Sequence, residues 1–366
     1  MSKNDLTRFI VPAELNNTDE KNKNGNGSFK TTDLVFLDSK NELKNFGDLQ
    51  MVASATDYAI VNSVFQNAKG VSITGKKGTS GYFLRSANSQ NSTDAVTAEG
   101  TTILNGKDNT LFETSSAVQN THLGIRPSMH LDAKKIAYAQ RRLPGFVKIS
   151  NVKNKSGKVV YHTIEFGEYP KTKASNSALL ERLYEEHKII ATGKKYFGRS
   201  KNDNTDFVEN LEYEYRGKKY VRVPVFSNNE NNIYSDGSKV SNFGCVWIKV
   251  EPITWIIKNW DELPTSINPN GTKKATYLDV ISEEVIMSGI PFYPDNSSEN
   301  ISLWQNSTIR GFLNGICVSN IKNNGNALYG ATNGGNFSKH SFLQEVFRPE
   351  EERYLFDDTY EDEMVM

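Results

Sequence analysis

Cysteine is nearly absent from this chain of 366 residues: Cys245 and Cys317 are the only two. They are too few for a disulfide framework and too far apart for paired zinc spacing, so both are expected as inert core thiols. Long apolar runs are missing as well. No stretch approaches the ~20 residues that cross a bilayer, and the opening Met1-Ser2-Lys3-Asn4-Asp5-Leu6 lacks the basic and apolar segments of a secretory signal. A cytoplasmic or particle-borne location is expected, with no membrane partner. Charge of neither sign prevails. Lys and Arg number 43 and Asp and Glu 43, so no global field gathers nucleic acid, which is not expected as a partner. His122, His130, His162, His187 and His340 show no two-ligand helical spacing, so no metal and no cofactor are expected. Gly70 to Lys77 nearly spells a phosphate loop but carries Lys77 where the metal-holding hydroxyl belongs, and Asn22 to Gly27 has the texture of a calcium loop without its acids.

What is present is aromatic bulk set among polar loops. Nineteen Phe and 16 Tyr supply core volume although hydrophobic residues make up only 37% of the chain. Ser39-x-x-Glu42 is a capping box that opens a short helix, and Thr56 to Asn67 permits a second. Gly81 to Ser86, Ala95 to Val96, Ile103 to Leu104 and Leu123 to Leu131 read as short strands between Gly, Asn and Ser turns. Asp132 to Tyr138 predicts one or two helical turns. Gly145 to Ser150 and Lys158 to Phe166 alternate as a hairpin about Asn154-Lys155-Ser156-Gly157. Apolar residues at three- and four-residue steps predict a helix from Ser175 to Thr192, stopped by Gly193. Tyr213 to Phe226 and Cys245 to Ile257 have strand character, Asp279 to Ser288 is strand or helix, and Ser307 caps a helix that runs to Gly315. Residues 16 to 30 are polar enough to form a loop, and residues 351 to 366 an acidic tail.

Several short motifs stand out. Phe166-Gly167-Glu168-Tyr169-Pro170, Val250-Glu251-Pro252-Ile253-Thr254-Trp255 and Trp304-Gln305-Asn306-Ser307-Thr308-Ile309-Arg310-Gly311-Phe312-Leu313-Asn314 lie in the second part of the chain. Val35 to Ser39, Ala55-Thr56-Asp57-Tyr58-Ala59, Phe83-Leu84-Arg85-Ser86 and Gly124-Ile125-Arg126-Pro127 lie in the first. Together they resemble an uncharacterised bacterial family of domains of unknown function, similar to the C-type-lectin-like fold of formylglycine-generating enzymes and phage receptor-binding proteins. Phe83 and Phe312 stand where that family usually has Trp, which keeps an aromatic core. In the family the second group of motifs comes first. The resemblance therefore implies an α+β, irregular, β-rich fold with few short helices and long loops, circularly permuted. It would be one domain over 1–366, with 31–131 as closing half and 145–350 as opening half. Two half-modules completed by dimer swapping are the alternative, so the state is monomer or swapped dimer. In that fold the first and last strands are neighbours, which would set the Gly124 to Leu131 strand beside the one near Phe166.

Arg85, Arg126 and Arg310 are expected to tether carbonyls or a buried carboxylate, and Trp247, Trp255, Trp260 and Trp304 to fill core. Formylglycine-type chemistry needs a close cysteine pair, which Cys245 and Cys317 do not supply by position. No catalytic residue is therefore assigned. The long loops Ser227 to Val240, Tyr293 to Ser302 and Asn320 to Ser338 mix rigid aromatics with adaptable polar side chains, the composition of binding surfaces. The expected function is non-catalytic recognition of a protein or glycan, with Tyr293, Asn296, Tyr329 and Asn336 as candidate contacts. A structural role in a phage or secretion particle and an oxidative enzyme are the alternatives.

Overall fold

The computed structural model describes residues 8–16, 30–46, 52–71, 77–87, 94–98, 115–117, 122–142, 147–154, 156–199, 207–225, 232–241, 244–292, 304–316, 337 and 341–346. Residues 17–29 of the loop expected over 16 to 30, the segment 351–366 expected as an acidic tail, Cys317, His340 and the candidate contacts Tyr293, Asn296, Tyr329 and Asn336 all lie outside that set.

Alternating and β-branched segments pair into antiparallel ladders that dominate the fold. Ten of the described strands form one sheet. Its main path runs from Ile10–Val11 through Ser128–Asp132, Tyr277–Ser282, Cys245–Ile257, Lys218–Pro224 and Phe207–Tyr215 to Ile190–Arg199. Val159–Lys173 also pairs with Cys245–Ile257, and Lys148–Lys153 pairs with Val159–Lys173. A smaller sheet holds Met287–Ser288, Gly124–Ile125, Tyr82–Ala87, Asp94–Ala98 and Ser115–Ala117, its one parallel pair joining Gly124 to Tyr82. The helices are few and short. The structure is thus β-rich with antiparallel sheets, compatible with an α+β class. The larger of two apolar clusters extends from Phe9 to Val346 and draws residues from both parts of the chain, including Phe36, Phe83, Leu131, Trp255, Trp304 and Phe312, while Ala174, Leu180, Tyr213, Tyr220 and Trp247 form the smaller.

Local signals decide several elements. The Ser39 box closes as read, Ser39 N–H donating to Glu42 at 2.9 Å and Glu42 N–H to Ser39 Oγ at 3.2 Å, and the helix Lys40–Phe46 follows. Ser307 Oγ accepts from Arg310 N–H at 3.1 Å to start the helix Thr308–Asn314, which ends at Gly315. Gly167 adopts φ 71° between Glu165 and Glu168, where the pairing of Val159–Lys173 with Cys245–Ile257 shifts register. A side chain with a Cβ is strained there, which accounts for glycine in that motif.

Other expectations change. The helix foreseen over Ser175 to Thr192 stops at Glu185, because His187 turns left-handed with φ 54° and the chain re-enters the sheet as Ile190–Arg199. Ile190, read as part of a buried helical stripe, is 75% exposed. The Thr56 segment makes only the helix Asp57–Val61 before strand Gln66–Val71, whereas the segment after Asp132 extends as helix to Arg142. Tyr213 to Phe226 is broken by the two-residue turn Arg216-Gly217, both at positive φ, so that Tyr215 pairs with Lys218. Asp279 to Ser288 is extended, contributing the strands Tyr277–Ser282 and Met287–Ser288. Ser128–Asp132 and Val159–Lys173 are not neighbours: Tyr277–Ser282 and Cys245–Ile257 lie between them.

Candidate functional site

The motif residues are occupied with one another. Asp33, which is buried, accepts from the Trp304 indole at 2.8 Å and from Arg310 Nε at 2.7 Å. Asn314 at the end of the same helix accepts from Leu34 N–H at 2.8 Å and Val35 N–H at 3.0 Å, and donates to Val35 O at 2.7 Å. The side-chain amide thus takes the place of a strand partner for residues 34 and 35. Arg85 donates to Leu37 O at 2.9 Å and forms a two-pronged ion pair with Glu42. Arg126 reaches Ser282 O at 2.8 Å and the Tyr82 hydroxyl at 3.1 Å. The Trp255 indole donates to Phe166 O at 2.8 Å. In the Ala55 to Ala59 motif, Thr56 caps its helix. Asp57 accepts from Lys173 N–H at 2.6 Å and from Ser235 N–H and Oγ–H, each at 2.7 Å, and the Tyr58 hydroxyl donates to Phe197 O at 2.6 Å. Apart from the Thr56 cap, each of these contacts bridges segments distant in sequence. The groups that make the motifs recognisable therefore have little capacity left for a ligand.

One cluster of perturbed ionisable groups lies where Tyr277–Ser282 meets Ser128–Asp132 and the end of Cys245–Ile257. Lys258 Nζ sits 2.9 and 3.0 Å from the two carboxylate oxygens of Asp38 and 2.9 Å from Asp279. Burial would lower the Lys258 ammonium, but Asp38 and Asp279 hold it above the ordinary lysine range. Burial raises Asp279 to about 6 against the pull of Lys258, with the Asp38 charge adding to the rise. His130, stacked on Tyr277 at 4.0 Å and 3.7 Å from Asp279, falls to about 4 because burial and the Lys258 charge disfavour imidazolium. Burial would raise Glu42 as well, but Arg85 draws it down to about 2. Such shifts mark functional sites and structural ion networks alike. Here the cation is enclosed by its own counter-ions.

A second arrangement keeps unused capacity. An open groove of about 520 Å³ runs along the start of Val159–Lys173 and the end of Cys245–Ile257, lined by Tyr161, His162, Lys258, Trp260, Asp261 and Glu262 among others. His162 and Trp260 stack with ring centroids 3.8 Å apart and planes at 10°. His162 Nδ1 lies 2.7 Å from Asn151 Oδ1, so that nitrogen donates and Nε2 is left as acceptor. Burial lowers His162, which keeps the neutral form, while Asp261 pulls the other way. Asp261 and Glu262 are exposed and their carboxylates enter no hydrogen bond or ion pair among the described residues. Trp247, Trp255 and Trp304 are fully buried and each indole N–H is satisfied, by Glu181, Phe166 O and Asp33. Trp260 differs from those three. It is half-buried, and its N–H has no partner among the described residues and is not sealed from solvent. The expectation that it fills core holds only in part, since it packs against the main apolar cluster with one portion left open. No local signal separates it from the others, since His162 lies far away in sequence and meets it only through strand pairing.

Cys245 is half-buried, not fully enclosed as expected. Among the described residues no group of three His, Cys, Asp or Glu is placed to hold a metal ion, and no helix is long and apolar enough to cross a membrane. No curated protein and no solved structure matches the chain. Residues 2–133 do match a family model, that of DUF6273, so a domain of unknown function from an uncharacterised family occupies the first part of the chain.

Proposed function

We propose that this protein is a non-catalytic recognition module that binds a protein or glycan, built on a circularly permuted C-type-lectin-like domain. The observation that carries the reading is a division among polar groups: the side chains of the buried motifs are engaged with one another, whereas the Trp260 groove keeps an indole N–H, an imidazole nitrogen and two carboxylates uncommitted among the described residues. Binding sites join an aromatic surface to a few converging polar groups in this way, on a rigid frame. Supporting the permuted arrangement, Ser128–Asp132 is held between Ile10–Val11 and Tyr277–Ser282, and one apolar cluster takes residues from both parts. The motif residues serve this reading as scaffold. Arg310 docks its helix onto Asp33, Trp304 docks the turn before that helix onto the same carboxylate, and Arg126 locks onto Ser282.

The direct test is a display of immobilised glycans and peptides probed with purified full-length chain. Saturable binding with the ligand recovered unchanged is expected. Release of a chemically altered ligand would replace recognition with catalysis.

A further inference from the structure

We propose that the groove at Trp260 is a saccharide site. It takes a neutral or amino sugar whose flat C–H face lies on the His162–Trp260 stack and whose hydroxyls donate to Asp261 and Glu262. The inference rests on the recognition reading above and names its ligand class.

The chemistry of the walls selects among ligands. Two exposed carboxylates with no counter-ion among the described residues line the groove, and its lysine is neutralised by Asp38 and Asp279. An anionic ligand such as a nucleic acid, a phosphosugar or a uronate would meet net negative charge. A peptide captured by strand addition needs a free sheet edge. The strand that carries His162 offers none, because His162 is paired on one side with Asn151 and on the other with Ile257. What remains is recognition by side chains alone. They provide ring surface, an N–H donor on Trp260 and acceptors on His162, Asp261 and Glu262, within a volume suited to a small ligand. A sugar answers each: one apolar face, several hydroxyl donors that carboxylates accept strongly, and ring or hydroxyl oxygens for the indole N–H.

The site draws on three separate elements. Val159–Lys173 supplies His162, the turn Trp260–Glu262 supplies the indole and both acids, and Lys148–Lys153 supplies Asn151, which orients the imidazole. Asn259 fixes the turn from below, donating to Tyr277 O at 2.9 Å and accepting from Asp279 N–H at 2.9 Å.

The experiment is a glycan array carrying neutral, amino and acidic oligosaccharides, read with the intact chain and followed by titration of the strongest binder. Wild type should bind neutral or amino sugars at least about 10-fold more tightly than their acidic counterparts, and Trp260→Ala should weaken binding by about 10-fold or more. Because Trp260 also packs against the core, Asp261→Ala/Glu262→Ala supplies a second variant with only exposed side chains removed. It should lose binding to a similar degree while melting like the parent. Wild type that binds no sugar on the array, or that prefers acidic ones, overturns the inference. Sugar binding untouched in both variants overturns this site while leaving recognition intact. Peptide binding abolished by the same variants keeps recognition and the groove but refutes the saccharide.

Discussion

Replacing Asn314 by Ala tests whether the helix Thr308–Asn314 and the segment at residues 34 and 35 depend on each other. The buried amide makes four hydrogen bonds: two accepted from Leu34 and Val35, and two donated to Val35 O and to Arg310 O at 3.1 Å. Val35 is fully buried, so water cannot readily replace these partners. At about 1 kcal/mol for each of the three bonds to residues 34 and 35, the loss comes to about 3 kcal/mol, a large share of the ~5–15 kcal/mol that separates folded from unfolded domains. Large domains shift by about 2 °C per kcal/mol, so the melting temperature should fall by about 6 °C. Asn314→Asp should lose as much, because it keeps the acceptor but turns a second oxygen toward the Val35 carbonyl. Calorimetry and urea unfolding of both variants provide the measurement. An Asn314→Ala protein melting within about 1 °C of the parent would refute the argument that this amide stands in for a strand partner.

Three other outcomes follow from the same contacts. Between pH 6.5 and 4 the unfolded His130 binds more protons than the folded one held near 4, so stability falls with pH. Asp279, raised to about 6 from 3.8, contributes in the opposite sense over nearly the same range. The parent should therefore be nearly flat there and lose stability below pH 4.5 as Glu42 is forced to protonate, while Asp279→Asn should begin to lose it below pH 6.5; urea midpoints across pH distinguish the two. A Cβ on Gly124 would stand 2.0 Å from Val285 Cγ1, so Gly124→Ala should cost about 1 to 3 kcal/mol and be partly rescued by Val285→Ala in a double-mutant cycle. Fragments 1–142 and 147–366 should each fail to melt cooperatively when expressed alone and should copurify when coexpressed. Two independently melting monomers with no mutual affinity would end the permuted-domain proposal.

The elements readable in the sequence were those whose cause is local. Ser39 with Glu42, and Ser307 with Gly315, carry their capping chemistry within a few residues, and both helices stand where those residues place them. Cys245–Ile257 was equally legible because Val246, Ile248 and Val250 alternate against Lys249 and Glu251 within it. Helical periodicity past Glu185 misled, since Ile190 matches a helical stripe but joins a strand paired to Glu214, a partner that periodicity does not reveal. The groove was hidden for the same reason. Trp260 has neighbours no more distinctive than those of Trp255.

Caps and alternation, properties of nearby residues, were enough to place several strands and short helices, while the β-rich class was what the motif resemblance implied. Tertiary structure alone decided which charges meet and which stay open. Lys258 finds Asp38 from the far part of the chain, while Asp261, a few residues along, finds no counter-ion among the described residues. Which of two similar polar residues is enclosed and which stays exposed depends on sheet order and register, and these arise from pairings between segments far apart in sequence.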